Sequence, residues 1–311
     1  MFLSTKPPIH LPLFLLTIVI FMPASQAQVP KNVTDTAIEL RDDAMRGTNA
    51  WNIVESLTTE VGARLAGTEQ EARARDWAIE QLAAMGFENV RVEPFMIDGW
   101  ERGREVAEVL TPFPQKLSIT SLGNSVATSE AGVEGELVLF QTLGELQRAP
   151  LAGLEGKIVY VGHAMQKTQD GSSYGHFVRL RSEGAIEAGR RGASAVLIRS
   201  IGTDSHRMPH TGHMSYAKDV NPIPIAALSN PDADQPERMA SRGEPIQIRM
   251  TITPTYTGAV PSGNVVADLP GSDLANEVVV IGGHLDSWDL GTGAIDDGAG
   301  VAITMEVLRR L

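Results

Sequence analysis

One short apolar run near the end of the sequence constrains the fold more than any other feature. Residues Val278–Ile281 are all apolar, and Gly282 and Gly283 follow them. Such a run is typical of a strand that is buried on both faces of a parallel sheet. In open α/β sheets, ligands and catalytic groups gather beyond the carboxyl ends of the strands. We therefore expect the polar residues that begin with His284 to lie at a functional edge of a sheet.

The loop that follows this predicted strand carries an unusual set of charged side chains. It contains, within fourteen residues, one histidine and four aspartates: His284, Asp286, Asp289, Asp296 and Asp297. A solvated acidic loop is the simplest interpretation. However, the adjacent Asp296 and Asp297 repel each other, and a glycine-rich loop is costly to order, so that a bound cation would offset both penalties.

The residue types favour a transition metal over calcium at this loop. The spacing of the acidic residues does not match a calcium-binding loop, and histidine is a poor calcium ligand. Histidine with carboxylates suits zinc or a similar ion. In the His-x-Asp pattern, Asp286 can accept the ring N–H of His284 and fix its tautomer. We therefore interpret His284 as a metal ligand and Asp286 as the residue that orients it.

The stretch Gly283-His-Leu-Asp-Ser-Trp-Asp-x-Gly-x-Gly-Ala-x-Asp-Asp-Gly-x-Gly300 resembles the first metal motif of the co-catalytic di-zinc exopeptidases. It is most similar to the carboxypeptidase Q branch of that family, in which Ser-Trp-Asp follows His-x-Asp. The resemblance implies two zinc ions, with His284 binding one and Asp296 bridging both. It further implies that Asp286 is a catalytic residue that orients His284, that Asp297 supports the site, and that the Asp296–Asp297 peptide is cis. No residue is assigned to substrate binding.

The N-terminal third also follows the order of elements of that family. The turn Gly62-x-Arg-x-x-Gly67 precedes a predicted helix, which Thr68 caps and Gly86 ends. A strand follows from Phe87 to Phe95. Two interpretations of Arg64 remain open: it binds a substrate carboxylate, or it ties down the turn.

The middle of the sequence has a different pattern, in which glycines separate short predicted strands. Residues 124–258 resemble a protease-associated domain, inserted into the peptidase domain. Four histidines in this segment invite comparison with a second metal site: His176, His206, His210 and His213. We expect none there, because no pair has zinc-finger spacing. His210-x-x-His213 lies in a polar Pro/Gly loop that is better suited to hydrogen bonding.

These features together predict the fold class and the domain division. We expect an α/β protein with a zinc-exopeptidase-type mixed sheet sandwiched by helices, C-terminally incomplete, and an inserted mainly-β protease-associated domain. The expected division is a signal peptide (1–27), an N-terminal part of the peptidase domain (28–123), the insert (124–258), and a truncated peptidase segment with the first metal motif (259–311).

The N-terminus and the composition indicate an exported protein. The apolar run Leu11–Met22 is followed by small residues up to Ala27, which is typical of a signal peptide and too short for a membrane span. There is no cysteine, and the net charge is -12. The acidic balance argues against nucleic-acid and anionic membrane partners. We therefore expect a secreted or periplasmic location.

The resemblance implies metal-activated hydrolysis of small peptides, with the insert closing the pocket. A homodimer, whose partner subunit would help to close the pocket, is an open alternative. The family's Glu-Glu pair, further Asp and later His should follow residue 311, so this chain alone is expected to be inactive. Two alternatives remain: an aminopeptidase that acts on longer peptides, and a catalytically inactive relative that binds peptides. Intact His284, Asp286, Asp296 and Asp297 argue against the second alternative.

Overall fold

The computed structural model describes residues 29–311, and the predicted signal peptide, residues 1–27, lies outside them. The chain forms two compact units that divide between Thr48 and Asn49. The described part of the first unit holds one exposed helix, Lys31–Ala44. None of the helices in residues 29–311 combines the length and the apolar composition that crossing a bilayer requires.

The described residues form both helices and strands in a mixed arrangement, which confirms the α/β class. The α-helices are Lys31–Ala44 (α1), Asn49–Ser56 (α2), Glu69–Ala84 (α3), Leu143–Arg148 (α4), Tyr174–Phe177 (α5), Arg179–Gly189 (α6), Asn230–Ala240 (α7) and Gly300–Arg310 (α8). The strands are Glu88–Glu101 (β1), Glu105–Thr111 (β2), Gln115–Leu117 (β3), Ile119–Ser121 (β4), Val133–Phe140 (β5), Ile158–Val161 (β6), Ala195–Arg199 (β7), Ile225–Leu228 (β8), Gln247–Ile252 (β9) and Thr255–Asp268 (β10). Short π-helical turns follow α2 and precede α8.

Helix α3 forms where the capping pattern predicts it. The hydroxyl oxygen of Thr68 accepts the backbone N–H of Glu71 at 3.4 Å, which satisfies one of the amides left free at a helix start. Trp77 and Leu82 lie on its buried face. The helix ends before Gly86, which has a φ of 87° that other residues rarely adopt.

An eight-stranded mixed sheet occupies the middle of the chain, in the order β3-β2-β9-β5-β6-β7-β8-β4. Strands β5 to β8 are parallel, and the remaining pairs are antiparallel. Apolar clusters cover both faces: α4, α5 and α6 contribute to one, and α7 to the other. The sheet therefore has a core of its own on each side.

A second, two-stranded sheet carries the elements around the metal motif. Strands β1 and β10 pair antiparallel from Glu88↔Asp268 to Glu101↔Thr255. Buried side chains of α2, α3 and α8 pack together beside it, with Val265 and Ala267 of β10 partly buried against them. This third core fixes α8, and with it the loop that precedes α8.

The structure contradicts the predicted buried strand Val278–Ile281. The segment has no strand assignment, and Val278, Val279 and Val280 are 82%, 88% and 86% exposed. Among the strands of residues 29–311, none pairs with it. Without a neighbouring strand, its backbone forms no inter-strand hydrogen bonds and its side chains have no sheet to pack against. The predicted central strand of a parallel peptidase sheet is therefore absent from the described residues.

The eight-stranded sheet begins before the predicted insert. Its first strands, β2, β3 and β4, end at Ser121, whereas the predicted insert covers residues 124–258. The division of the chain into these domains stays a prediction.

Candidate metal centre

The predicted metal ligands meet in the loop between Gly282 and α8. The Nε2 atom of His284 lies 2.8 Å from Oδ1 of Asp296, and its Nδ1 atom lies 3.2 Å from Oδ1 of Asp286 and 3.1 Å from the Asp286 carbonyl oxygen. Nδ1–H donation to Asp286 leaves Nε2 as the nitrogen that can bind a metal. The imidazole and the Asp296 carboxylate are both solvent-accessible.

Asp297 holds the backbone of the same loop. Its Oδ2 atom accepts the N–H of His284 at 3.1 Å, and the Asp296–Asp297 peptide is cis, as the resemblance implied. The Asp297 carboxylate packs against two glycines that leave room for it. A Cβ on Gly300 would stand 2.2 Å from Oδ1, and a Cβ on Gly283 would stand 2.8 Å from Oδ2. Asp297 thus stabilises the backbone of the loop, whereas the Asp296 carboxylate is exposed to solvent.

Arg64 anchors the loop from beneath. Its side chain is fully buried, and its guanidinium donates to the carbonyl oxygens of Leu285, Thr292 and Gly293. Its backbone N–H donates to the hydroxyl of Ser287 at 3.1 Å, and its carbonyl accepts the Ser287 N–H at 3.1 Å. Of the two interpretations left open for Arg64, the structure supports the one in which it ties down the turn.

A second arginine ties the loop to the eight-stranded sheet. Arg102 donates from Nε and Nη2 to both oxygens of Asp289, at 2.6 and 3.0 Å. The same guanidinium donates to Glu105 and to the carbonyl oxygen of Ser121, both at 2.7 Å, and to the Thr211 hydroxyl at 3.2 Å. The Arg102 side chain is nearly buried, and its bidentate contact fixes the position of the Asp289 carboxylate relative to it.

The electrostatics follow from these contacts. Burial lowers the pKa of His284, but its contact with Asp296 and the charge of Asp286 outweigh that effect, so the pKa is raised overall. Burial also lowers the pKa of Arg64 against the opposing charge of Asp286. Burial acts in the same direction on Arg102, yet Asp289 and Glu105 raise its pKa overall.

The residues present fit a zinc ion. One imidazole nitrogen and one carboxylate oxygen face each other, and both are ligands that zinc accepts. The tautomer of His284 is set by Asp286 on the far side of the ring, as in many zinc sites. The loop can therefore contribute two donors, His284 Nε2 and Asp296, with Asp286 and Asp297 holding them in place.

The structure brings together all four residues predicted for this site, although their metal and catalytic roles stay predictions. Sequence reasoning missed Arg102, because nothing local to Arg102 signals that it reaches Asp289, 187 residues away. It also missed Ser287, which is buried and whose hydroxyl lies within hydrogen-bond distance of the Gly291 carbonyl oxygen, at 3.3 Å. The Ser-Trp-Asp part of the motif was the available signal for Ser287.

Comparison with known proteins agrees with the motif. Residues 264–311 match the model of peptidase family M28. The chain is 41% identical over 253 residues to carboxypeptidase Q of Bos taurus, covering 81% of this chain and 52% of that protein. It is 38% identical over 252 residues to carboxypeptidase Q of Homo sapiens, with the same coverage. The chain thus spans about half the length of the curated relatives that it matches.

Solved structures give the same picture for the fold. A peptidase M28 precursor from Shewanella amazonensis SB2B superposes with a TM-score of 0.88 at 45% identity, covering 90% of this chain and 63% of that one. A zinc aminopeptidase from Bacillus subtilis superposes with a TM-score of 0.60 at 20% identity, covering 85% and 57%. At that lower identity the second likeness concerns the fold alone.

Proposed function

The chain belongs to peptidase family M28, and from that premise we propose that the whole protein is a zinc-dependent exopeptidase that hydrolyses small peptides. The observation that carries the proposal is the pairing of His284 Nε2 with Asp296 Oδ1 at 2.8 Å, with Nδ1 held by Asp286. The relatives that are about 40% identical are named carboxypeptidase Q, which supports the exopeptidase class.

In this proposal each loop residue has a definite task. His284 would bind one of two zinc ions through Nε2, and Asp296 would be a ligand of both. Asp286 keeps the proton on Nδ1, so that Nε2 stays free to bind. Asp297 fixes the backbone of His284 through the amide contact. When bound, a zinc pair activates a water molecule and polarises the scissile carbonyl.

The remaining parts of the proposal concern the whole protein. We propose that the eight-stranded segment contains the protease-associated-like insert predicted for residues 124–258, because apolar clusters of its own cover both faces of its sheet. We also propose export to a secreted or periplasmic location, on the pattern of residues 1–27. We propose small peptides as the substrates, no nucleic-acid partner, and no membrane partner after removal of the leader. We also propose a homodimer as the assembly.

The experiment compares the whole protein before and after chelation, with dipeptides as substrates. We expect hydrolysis to stop on removal of metal and to return on addition of Zn²⁺, and His284→Ala to abolish it. A dipeptide and an N-terminally blocked longer peptide distinguish the reactions: an aminopeptidase needs the free amine and accepts the longer chain. Undiminished hydrolysis after complete removal of metal would exclude the proposed mechanism.

A further inference from the structure

A second group of metal-binding side chains lies in the loop that follows strand β7. Asp204, His206 and His210 each offer one donor atom, and the three atoms all lie within 4.8 Å of one another. The Oδ1 atom of Asp204 is 3.2 Å from Nδ1 of His206, and its Oδ2 atom is 2.7 Å from Nε2 of His210. The two rings are stacked, with planes 5° apart and centroids 6.0 Å apart. Both imidazoles therefore present a nitrogen to one carboxylate.

The polar atoms of this cluster are not satisfied by hydrogen bonds. Both carboxylate oxygens of Asp204 are shielded from solvent, and neither has a hydrogen-bond partner among residues 29–311. The Nδ1 atom of His206 lies 3.2 Å from Oδ1 of Asp204 and 3.3 Å from the backbone nitrogen of Met208. A shielded carboxylate without hydrogen bonds is costly, and a bound cation would offset that cost.

The surrounding fold holds the cluster in place. The amide of Asn230, at the start of α7, donates to the carbonyl oxygens of Gly202 and Asp204, at 3.2 Å each. The hydroxyl of Ser200 accepts the backbone N–H of His210 at 2.7 Å. Ser200 and Asn230 are both buried. A Cβ on Gly202 would stand 2.9 Å from Oδ2 of Asp204, so the backbone itself packs against the carboxylate.

We propose that Asp204, His206 and His210 bind a divalent transition-metal ion, with Zn²⁺ as the best match. Two imidazoles and one carboxylate are a donor set that zinc accepts and calcium does not favour. Tetrahedral zinc places such donors roughly 3.3 Å apart, and the two contacts between the Asp204 carboxylate and the imidazole nitrogens are 3.2 and 2.7 Å. The side chains of His206 and His210 are 56% and 42% exposed, so that a fourth position is open to water or an external ligand.

This site is separate from the motif loop and does not depend on the proposed peptidase function. None of its three donors lies in residues 282–300, and it needs no residue beyond those described. It departs from the expectation that the histidines of this segment bind no metal. That expectation considered histidine pairs alone, whereas the structure adds Asp204 as the donor that joins two of them.

The test locates and counts zinc in the whole protein. Crystals soaked with Zn²⁺ should show an anomalous scattering peak between Asp204, His206 and His210 at the zinc absorption edge. After equilibrium dialysis against micromolar Zn²⁺, His210→Ala should retain one zinc fewer than the wild type. Asp204→Asn should weaken binding at this site at least tenfold, because it removes the anionic donor. His213→Ala, in the same loop, is the matched control and should retain the full number.

The opposite results would overturn the proposal. If soaked crystals show no peak at the cluster, or if His210→Ala and His213→Ala retain equal amounts of zinc, then the cluster binds no metal. Asp204 and the two histidines then form only ion pairs with one another. Far-UV circular dichroism of each variant separates loss of metal from loss of fold. Should His210→Ala fail to fold, Asp204→Asn, which preserves side-chain size, decides the question.

Discussion

At the scale of single residues, Arg64 shows how a buried cation can build a loop through hydrogen bonds to backbone carbonyl oxygens. Its guanidinium binds backbone carbonyl oxygens on the motif loop, and carbonyl dipoles stabilise the charge that burial disfavours. The planar fork of arginine reaches several acceptors at once, whereas the ammonium group of lysine is a point charge that cannot. The position of the metal ligands therefore depends on a residue that touches none of them.

Replacing Arg64 by lysine should destabilise the fold and loosen the motif loop together. We expect the free energy of unfolding to fall by about 3 kcal/mol, because several charge-assisted hydrogen bonds are lost in a buried site. Urea denaturation of the whole protein measures the change. Arg73→Lys, on the exposed face of α3, is the control and should change stability by less than about 0.5 kcal/mol. Equal stability of the two variants would contradict the anchoring role.

Asp286 should act on the metal through His284 rather than as a ligand. We expect Asp286→Asn to weaken zinc binding at the motif about 10- to 100-fold, as is usual when the partner of a metal-binding histidine is changed. Competition with a chelating dye measures the affinity. Asp273→Asn, an equal change in an exposed turn, should leave it unaltered. Complete loss of the ion from Asp286→Asn would instead assign Asp286 as a ligand.

At the scale of elements, the accuracy of sequence-based prediction depended on how local the determining contacts are. Helix α3 was predictable because capping acts within a few residues. The pairing of His284 with Asp286 was predictable for the same reason. Val278–Ile281 was not, since an apolar run becomes a strand only beside another strand, and its own sequence does not supply one. The Arg102–Asp289 ion pair could not be predicted from the sequence, because the two residues are far apart in the chain and meet only in the folded protein.

One carboxylate adds a polar contact between α8 and α2. Glu306 is buried, accepts from Asn49 Nδ2 at 2.6 Å, and pairs with Arg309 and Arg310 on its own helix. The hydrogen bond from Arg309 is the main cause that lowers the pKa of Glu306 from its usual 4.5 to about 2, against the opposing effect of burial. The ionised form is therefore favoured in the folded state, so its contribution to stability is present above pH 4.5 and is lost as the pH falls toward 2.

The variant Glu306→Gln should test this link between helices. We expect it to lower the free energy of unfolding at pH 7 by about 1–3 kcal/mol, because it removes charge-assisted hydrogen bonds from a buried group. The difference from the wild type should shrink as the pH falls from 4.5 toward 2. Urea denaturation at pH 7 and pH 3 measures it, with Glu80→Gln on the exposed face of α3 as control. A difference that stays constant between these two pH values would rule out the ionised carboxylate as its source.

At the scale of the molecule, the apolar cores of residues 49–311 separate along the chain. The two clusters that cover the eight-stranded sheet contain buried residues from Ala107 to Ile252. The third cluster draws its buried residues from 53–87 and 301–305. The chain enters the large sheet at Glu105 and leaves it at Ile252, and these two residues are register partners in neighbouring strands. A segment with its own core and adjacent ends meets the physical requirements of an independent folding unit.

Residues 103–254 should therefore fold alone, whereas the predicted insert, residues 124–258, should not. The shorter fragment lacks β2, β3 and β4, and so loses Ala107, Val109, Leu117 and Ile119 from one core. It also removes β2 from beside β9 and β4 from beside β8, which exposes strand edges and favours aggregation. We expect 103–254 to unfold cooperatively by circular dichroism with dispersed amide NMR resonances, and 124–258 to show neither. If the shorter fragment folds as well as the longer one, then strands β2 to β4 belong to the peptidase part, and the boundary predicted at residue 124 is the physical one.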